Sequence, residues 1–295
     1  MNPLEFHLNP ADYGLPTRDE LVSYRIWDSH FHGFNTSGNP IEQFRRNAFY
    51  VERMGVERSI SLEIGGTLRD PLTVTPYDDE IRRILEAGQD RLSGITPIDP
   101  GFPEASVAKM EKWIRNGPCI GIKYVGGNKT GVPCSHPNND AIIRKASELK
   151  ATIYIHTWLK IGGTPRRPGG GNLPGENTPM DVAALAQRFP DVPLICGHSG
   201  GDWELGARAI RPYQNVSLEF AGSDPHSGSV GYAIKELGVD RIVWGGHGPS
   251  RSYATEYGKV LDANLSKTDR LKIFGANFRK MAAPIFRQKG WAITV

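Results

Sequence analysis

Cysteine is scarce in this chain. Its three thiols, Cys119, Cys134 and Cys196, are odd in number, far apart and never in C-x-x-C spacing. That excludes a disulfide framework and a cysteine-built structural zinc, and it suits a reducing compartment. Long hydrophobic runs are also missing. Nothing reaches the ~18 consecutive apolar residues of a membrane span, and residues 1–20 lack the basic start and apolar stretch of a secretion signal. A cytoplasmic protein with no membrane partner is expected. Charge of one sign is equally lacking: the formal net charge is +3, with Lys and Arg spread along the chain, so nucleic acid is not an implied partner. A small molecule is the partner that remains, with self-association into a homo-oligomer left open.

What is present is enough apolar content for one large core, 39% of 295 residues, a size at which a barrel of ~250 residues runs as one domain. Residues 1–24 hold Pro3, Pro10, Gly14 and Pro16 without a clear period and are predicted as an extended arm. From residue 25 onward, β-branched apolar runs alternate with amphipathic stretches, the pattern of a parallel sheet covered by helices. Strands are predicted at 25–29, 57–63, 92–98, 119–125, 151–156, 192–197, 215–220 and 240–245. Helices are predicted at 40–54, 77–88, 104–116, 138–149, 179–189, 202–211, 227–237 and 252–263, with a carboxy-terminal one at 267–282. Eight strand–helix units give a (β/α)8 TIM barrel over residues 25–295.

Histidine carries the functional signal. His30 and His32 close the first strand, two residues apart and so on one face. His156 ends the fifth strand, His198 the sixth and His247 the eighth. A lone histidine at a strand end is usually a hydrogen-bonded structural residue, but barrel enzymes gather their chemistry at the carboxyl ends of several strands. Five imidazoles there point to a shared metal or catalytic site, since neutral imidazole ligates zinc and a catalytic zinc keeps three protein ligands and one open position. His7, His136 and His226 fall in the arm or in loops and read as solvated or structural.

The segment from Trp158 to Thr178 is rich in glycine and proline and follows the fifth strand, which makes it a flap over the site or an interface arm. Arg166 and Arg167 within it, and Arg251, could grip an anionic substrate, although exposed loop cations are common. Trp158 and Trp203 line the pocket or pack beneath loops. Gly197-His198-Ser199-Gly200-Gly201 fits G-x-S-x-G between a strand and a helix, followed by Asp224 or Asp240 and then His247. That order allows a serine hydrolase with Ser199 as nucleophile, but it leaves His30, His32 and His156 without a function. Gly126-Gly127-Asn128-Lys129-Thr130 lacks phosphate-loop spacing and reads as a turn.

Taken in order, Asp28-Ser29-His30-Phe31-His32, Gly121-Ile122-Lys123, Ile155-His156, Gly197-His198-Ser199-Gly200-Gly201, Asp240 to Gly246 and Ile273 to Phe278 resemble the amidohydrolase superfamily. The nearest likeness is to its amidohydrolase-related branch of metal-dependent hydrolases, lactonases and decarboxylases, over about residues 25–283. The resemblance implies that His30, His32 and His156 hold one divalent metal, Zn2+ or alternatively Mn2+. It also implies that His198 binds substrate or shuttles a proton. Lys123 would face the pocket as a cation for a carboxylate or pair with a buried acid. Where the family usually has an aspartate that touches the metal and activates its water, this chain has His247, which ligates the metal, acts as the base, or marks an impaired barrel. The implied reaction is hydrolysis of a small amide, ester or lactone by metal-activated water, with non-oxidative decarboxylation as the alternative.

Overall fold

The computed structural model describes residues 15–34, 39–67, 70–159, 172–222 and 227–295. Eight strands, β1 (Ile26–Phe31), β2 (Val56–Ser61), β3 (Leu92–Ile98), β4 (Cys119–Tyr124), β5 (Thr152–Ile155), β6 (Leu194–Cys196), β7 (Val216–Glu219) and β8 (Ile242–Val243), pair in parallel and in chain order. The ends of the sheet meet: the Ser29 hydroxyl donates to the Trp244 carbonyl at 2.7 Å, and the His32 amide donates to that of Gly248 at 2.8 Å. The predicted TIM barrel is the fold.

Around it lie α1 (Arg18–Ser23), α2 (Pro40–Arg53), α3 (Asp78–Ala87), α4 (Pro103–Met110), α5 (Asn139–Glu148), α6 (Pro179–Arg188), α7 (Trp203–Ile210), α8 (Ser229–Leu237), α9 (Tyr253–Leu261), α10 (Lys267–Leu271) and α11 (Asn277–Gln288). Local chemistry sets their starts. Asn39, Asp202, Ser252 and Ser266 accept amide hydrogen bonds as N-caps, and Thr178 forms a capping box with Asp181, satisfying donors that the first turn leaves unpaired. The strands are almost wholly buried because the barrel interior covers one face and the helices the other. α11 touches β1, β4, β5 and β8, and Arg279 donates to the Arg25 carbonyl just before β1. It therefore lies across the amino ends of the strands and closes the barrel there, leaving the carboxyl ends as the open mouth.

Two expectations need correction. Arg18–Ser23 is a helix capped by Thr17, with Leu21 buried, where an extended arm was read; the surrounding prolines and glycine masked its single period. β8 covers two residues rather than six. Val239–Arg241 forms a 3-10 turn, and the Trp244 amide donates to the Ile273 carbonyl at 3.1 Å, in a π-helical turn between α10 and α11. A wide helical turn of this kind leaves carbonyls free for partners outside the helix.

Candidate active site

Asp28, His30 and His32 share one face of β1 and its exit. The buried Asp28 carboxylate holds the turn together by accepting the amides of His30 (2.9 Å) and Gly246 (2.7 Å) and the Tyr253 hydroxyl (2.6 Å). Burial pushes that carboxyl up and these donors partly offset the rise. The His30 and His32 Nε2 atoms lie 2.9 Å apart. His247, in left-handed backbone after β8 (φ 50°), brings its ring to 4.3 Å from that of His30 and 4.7 Å from that of His32. One ring nitrogen from each of these three histidines falls within 4.8 Å of the others.

The three rings are oriented from behind. Glu63, buried just past β2, faces His32 Nδ1 at 3.2 Å and accepts from Lys123 Nζ at 2.9 Å. Burial opposes its charge, but Lys123 and His32 outweigh burial and hold the carboxyl well below the usual carboxylate range. A carboxylate can only accept, so the proton of His32 sits on Nδ1 and its Nε2 carries a lone pair. The Tyr154 hydroxyl meets His30 Nδ1 at 2.7 Å, and His247 Nδ1 is engaged by the Ser250 hydroxyl. Burial first, then neighbouring cationic groups, push His30 and His198 well below the usual imidazole value and His247 down to about 2. The His30 and His32 Nε2 atoms, 2.9 Å apart, can share a proton in an N–H···N hydrogen bond or, when both are unprotonated, turn their lone pairs on one cation. The donor set therefore fits one divalent cation.

The other half of the mouth is built differently. His198, also in left-handed backbone, places its Nδ1 2.6 Å from the Ala221 carbonyl, leaving Nε2 as an acceptor. Its ring lies 4.4 Å from that of His156 and 6.1 Å from that of Trp158. His156 Nε2 stands 3.7 Å from Glu176 Oε1; burial lowers its pKa even with that acid beside it. Glu63, His198, Ser199 and His247 all adopt positive φ, a concentration of unfavourable backbone typical of functional sites.

A family model described as amidohydrolase matches residues 28–281. The chain belongs to the amidohydrolase family. Solved structures carry the same fold. 2,6-Dihydroxybenzoate decarboxylase from Rhizobium is 15% identical, covers 88% of this chain and 98% of its own, and has a TM-score of 0.63. 5-Carboxyvanillate decarboxylase from Sphingomonas paucimobilis is 15% identical over 84% of this chain and 83% of its own, with a TM-score of 0.61. A dihydroxybenzoic acid decarboxylase from Polaromonas sp. JS666, determined with bound manganese and the inhibitor 2-nitroresorcinol, is 16% identical over 88% and 96%, with a TM-score of 0.65. No curated protein matches the chain.

In this amidohydrolase barrel, the five strand-end histidines expected from the sequence meet at the mouth, with the His198 ring 4.8 Å from that of His30, 5.2 Å from that of His247 and 4.4 Å from that of His156, between the two groups. His247 joins His30 and His32, while His156 stands with Glu176. Lys123 is fully buried and paired with Glu63, so it balances an acid rather than presenting a free cation to substrate. Trp158 lies beside His198; Arg251 is exposed, donates to the Ser250 and Gly222 carbonyls, and its charge is among the causes that lower the pKa of His247. Arg166 and Arg167, with His7, His226, Asp224 and most of the expected flap, lie outside the described residues. His136 is exposed. The serine-hydrolase reading fails on the fold, since a barrel replaces the doubly wound sheet, and Asp240 forms a 2.9 Å ion pair with Lys272. Glu63, Tyr154 and Glu219 were missed. The available signal was an acid or a polar ring in or next to a strand otherwise buried on both faces.

Proposed function

We propose that this protein is a metal-dependent, non-oxidative decarboxylase of a small hydroxylated ring carboxylate, with one divalent cation held by His30, His32 and His247. The observation that carries it is the convergence of those three imidazoles on one point, set in a fold whose solved neighbours include decarboxylases named for dihydroxybenzoate and 5-carboxyvanillate. This replaces the leading sequence expectation of hydrolysis. Hydrolysis needs a group that takes a proton from water, the part that the resemblance gives to an aspartate at position 247; the imidazole there is grouped with His30 and His32 as a ligand, which takes up the lone pair that a base would use. Decarboxylation breaks one C–C bond, releases CO2 and needs one proton at the carbon left behind.

The cation would draw negative charge and hold the substrate's oxygens in one orientation. The residues around it divide the remaining work. His198 Nε2, with Nδ1 turned to the Ala221 carbonyl, accepts a ring hydroxyl. Trp158 covers that side. His156 and Glu176, 3.7 Å apart, form the pair that holds the proton for the ring carbon, within hydrogen-bond reach once substrate is bound. Imidazole ligands suit zinc better than manganese, while a solved neighbour holds manganese, so metal analysis of the purified protein decides the ion.

The deciding experiment incubates the protein with hydroxybenzoates and, separately, with small esters, lactones and amides, and measures CO2 release and hydrolysis in parallel. CO2 release that falls to background with a chelator and returns with Mn2+ is the expected result. Metal-dependent hydrolysis without any CO2 release would reinstate the hydrolase reading.

A further inference from the structure

Tyr154 and Glu219 have no part in the division of labour above, yet both are fully buried beneath the histidines. Glu219, at the end of β7, accepts the Ala221 amide on Oε1 at 2.8 Å. Its Oε2 accepts the His198 amide at 3.1 Å and the Tyr154 hydroxyl at 2.6 Å. Two backbone amides already donate to this carboxylate, which favours its acceptor form, and the Tyr154 hydroxyl donates its proton to Oε2. Its oxygen then has only lone pairs to offer His30 Nδ1, 2.7 Å away.

We infer that Tyr154 and Glu219 form a positioning relay that fixes His30 in its Nδ1–H form and leaves Nε2 unprotonated toward the cation site. His32 achieves the same state through direct contact with Glu63. For His30 the acid is out of reach, with Nδ1 and Glu219 Oε2 3.6 Å apart, and the hydroxyl bridges the gap. Because the same carboxylate holds the His198 amide, one buried acid sets the orientation of both halves of the site.

Two strand-end glycines leave room for the relay. A Cβ at Gly197 would sit 2.2 Å from the Tyr154 hydroxyl, and one at Gly245 would sit 2.2 Å from Glu219 Oε1 and 2.7 Å from the His30 Cβ. Both contacts lie far inside van der Waals distance, so alanine at either place would displace the tyrosine or the acid.

The relay's service to a cation rests on the metal reading, whereas the tautomer it sets does not. Long-range 15N NMR of the metal-free protein, with His30 assigned by comparison with His30→Gln, should show the Nδ1–H form. In Tyr154→Phe that preference should be lost. Mn2+ affinity, measured by competition with a chromophoric chelator, should fall ~10–100-fold in the same variant, the usual effect of removing an outer partner of a metal-bound histidine. An Nε2–H form of His30 in the unsubstituted protein overturns the relay, and so does a folded Tyr154→Phe protein with unchanged Mn2+ affinity. The tautomer measurement needs no variant at Tyr154, so it decides for or against the relay even where the Phe protein fails to fold. An Nδ1–H His30 in a protein that binds no Mn2+ would refute the metal centre and leave the tautomer assignment standing.

Discussion

The resemblance implies an aspartate at position 247, and an imidazole in its place brings one negative charge fewer to a site that still offers a ligand. Three imidazole ligands would leave the proposed dication both of its positive charges, and Lys123 and Glu63 cancel each other behind them. Such a centre attracts a carboxylate more strongly than one with an anionic ligand. The ligand set proposed here differs from the one the resemblance implied, since His247 replaces His156. His247→Ala is accordingly expected to weaken Mn2+ binding more than about 100-fold, beyond what an outer partner costs, and His156→Ala to leave it nearly unchanged while impairing turnover. Metal titration of both variants checks this, and the reverse pattern would return His156 to the metal shell.

Among the elements, strands and helices were legible from periodicity because each is patterned along its own length. α1 was not, since a six-residue helix carries too little period to register, and β8 was placed correctly but read too long, its two residues lying inside the predicted 240–245. The helices also show where this chain keeps glycine without using it. Gly231 in α8 and Gly258 in α9 would meet nothing within 4 Å on gaining a Cβ. Alanine at either position should stabilise the fold by about 0.5–1 kcal/mol, through lower unfolded-state entropy and better helix propensity. Gly245→Ala should do the opposite, costing about 1–3 kcal/mol by overpacking against Glu219. Denaturant midpoints of the three variants test the contrast; a neutral Gly245→Ala would mean that the strand end yields more easily than its contacts imply.

For the whole molecule, buried ionisable groups make stability depend on pH. His30, His156, His198 and His247 are all held below the usual imidazole value by burial. The unfolded chain therefore takes up protons that the folded chain refuses, and the stability these groups contribute above about pH 6.5 is lost as the pH falls. Asp28, Glu219 and Glu256 are pushed up by burial, the last two to about 7. They bind protons more tightly when folded and so act in the opposite sense, stabilising as the pH falls. Four histidines against three carboxyls leave the imidazoles ahead. The metal-free protein should lose about 1–2 kcal/mol between pH 6.5 and 5.5, at ~1.4 kcal/mol per net proton per pH unit. Urea unfolding at the two pH values measures it, and greater stability at pH 5.5 would show that the carboxyls dominate. At the same scale, no helix among the described residues is long and apolar enough to cross a membrane.

The sequence by itself determined the barrel and which five histidines reach its mouth. Period and strand-end position are local properties that eight repeated units express eight times over. Only the tertiary structure decided how those histidines divide, because ring orientation depends on partners distant in the chain. Glu63 lies 31 residues from His32, and Tyr154 lies 124 from His30. Lys123 could be read from sequence as a substrate cation or as the partner of a buried acid, and the fold chose by placing Glu63 beside it. The acids that orient the site sit in or beside strands whose neighbours are apolar. Their meaning appears only when closure of the barrel brings the ends of β1, β2, β5, β6 and β7 within hydrogen-bond distance of one another.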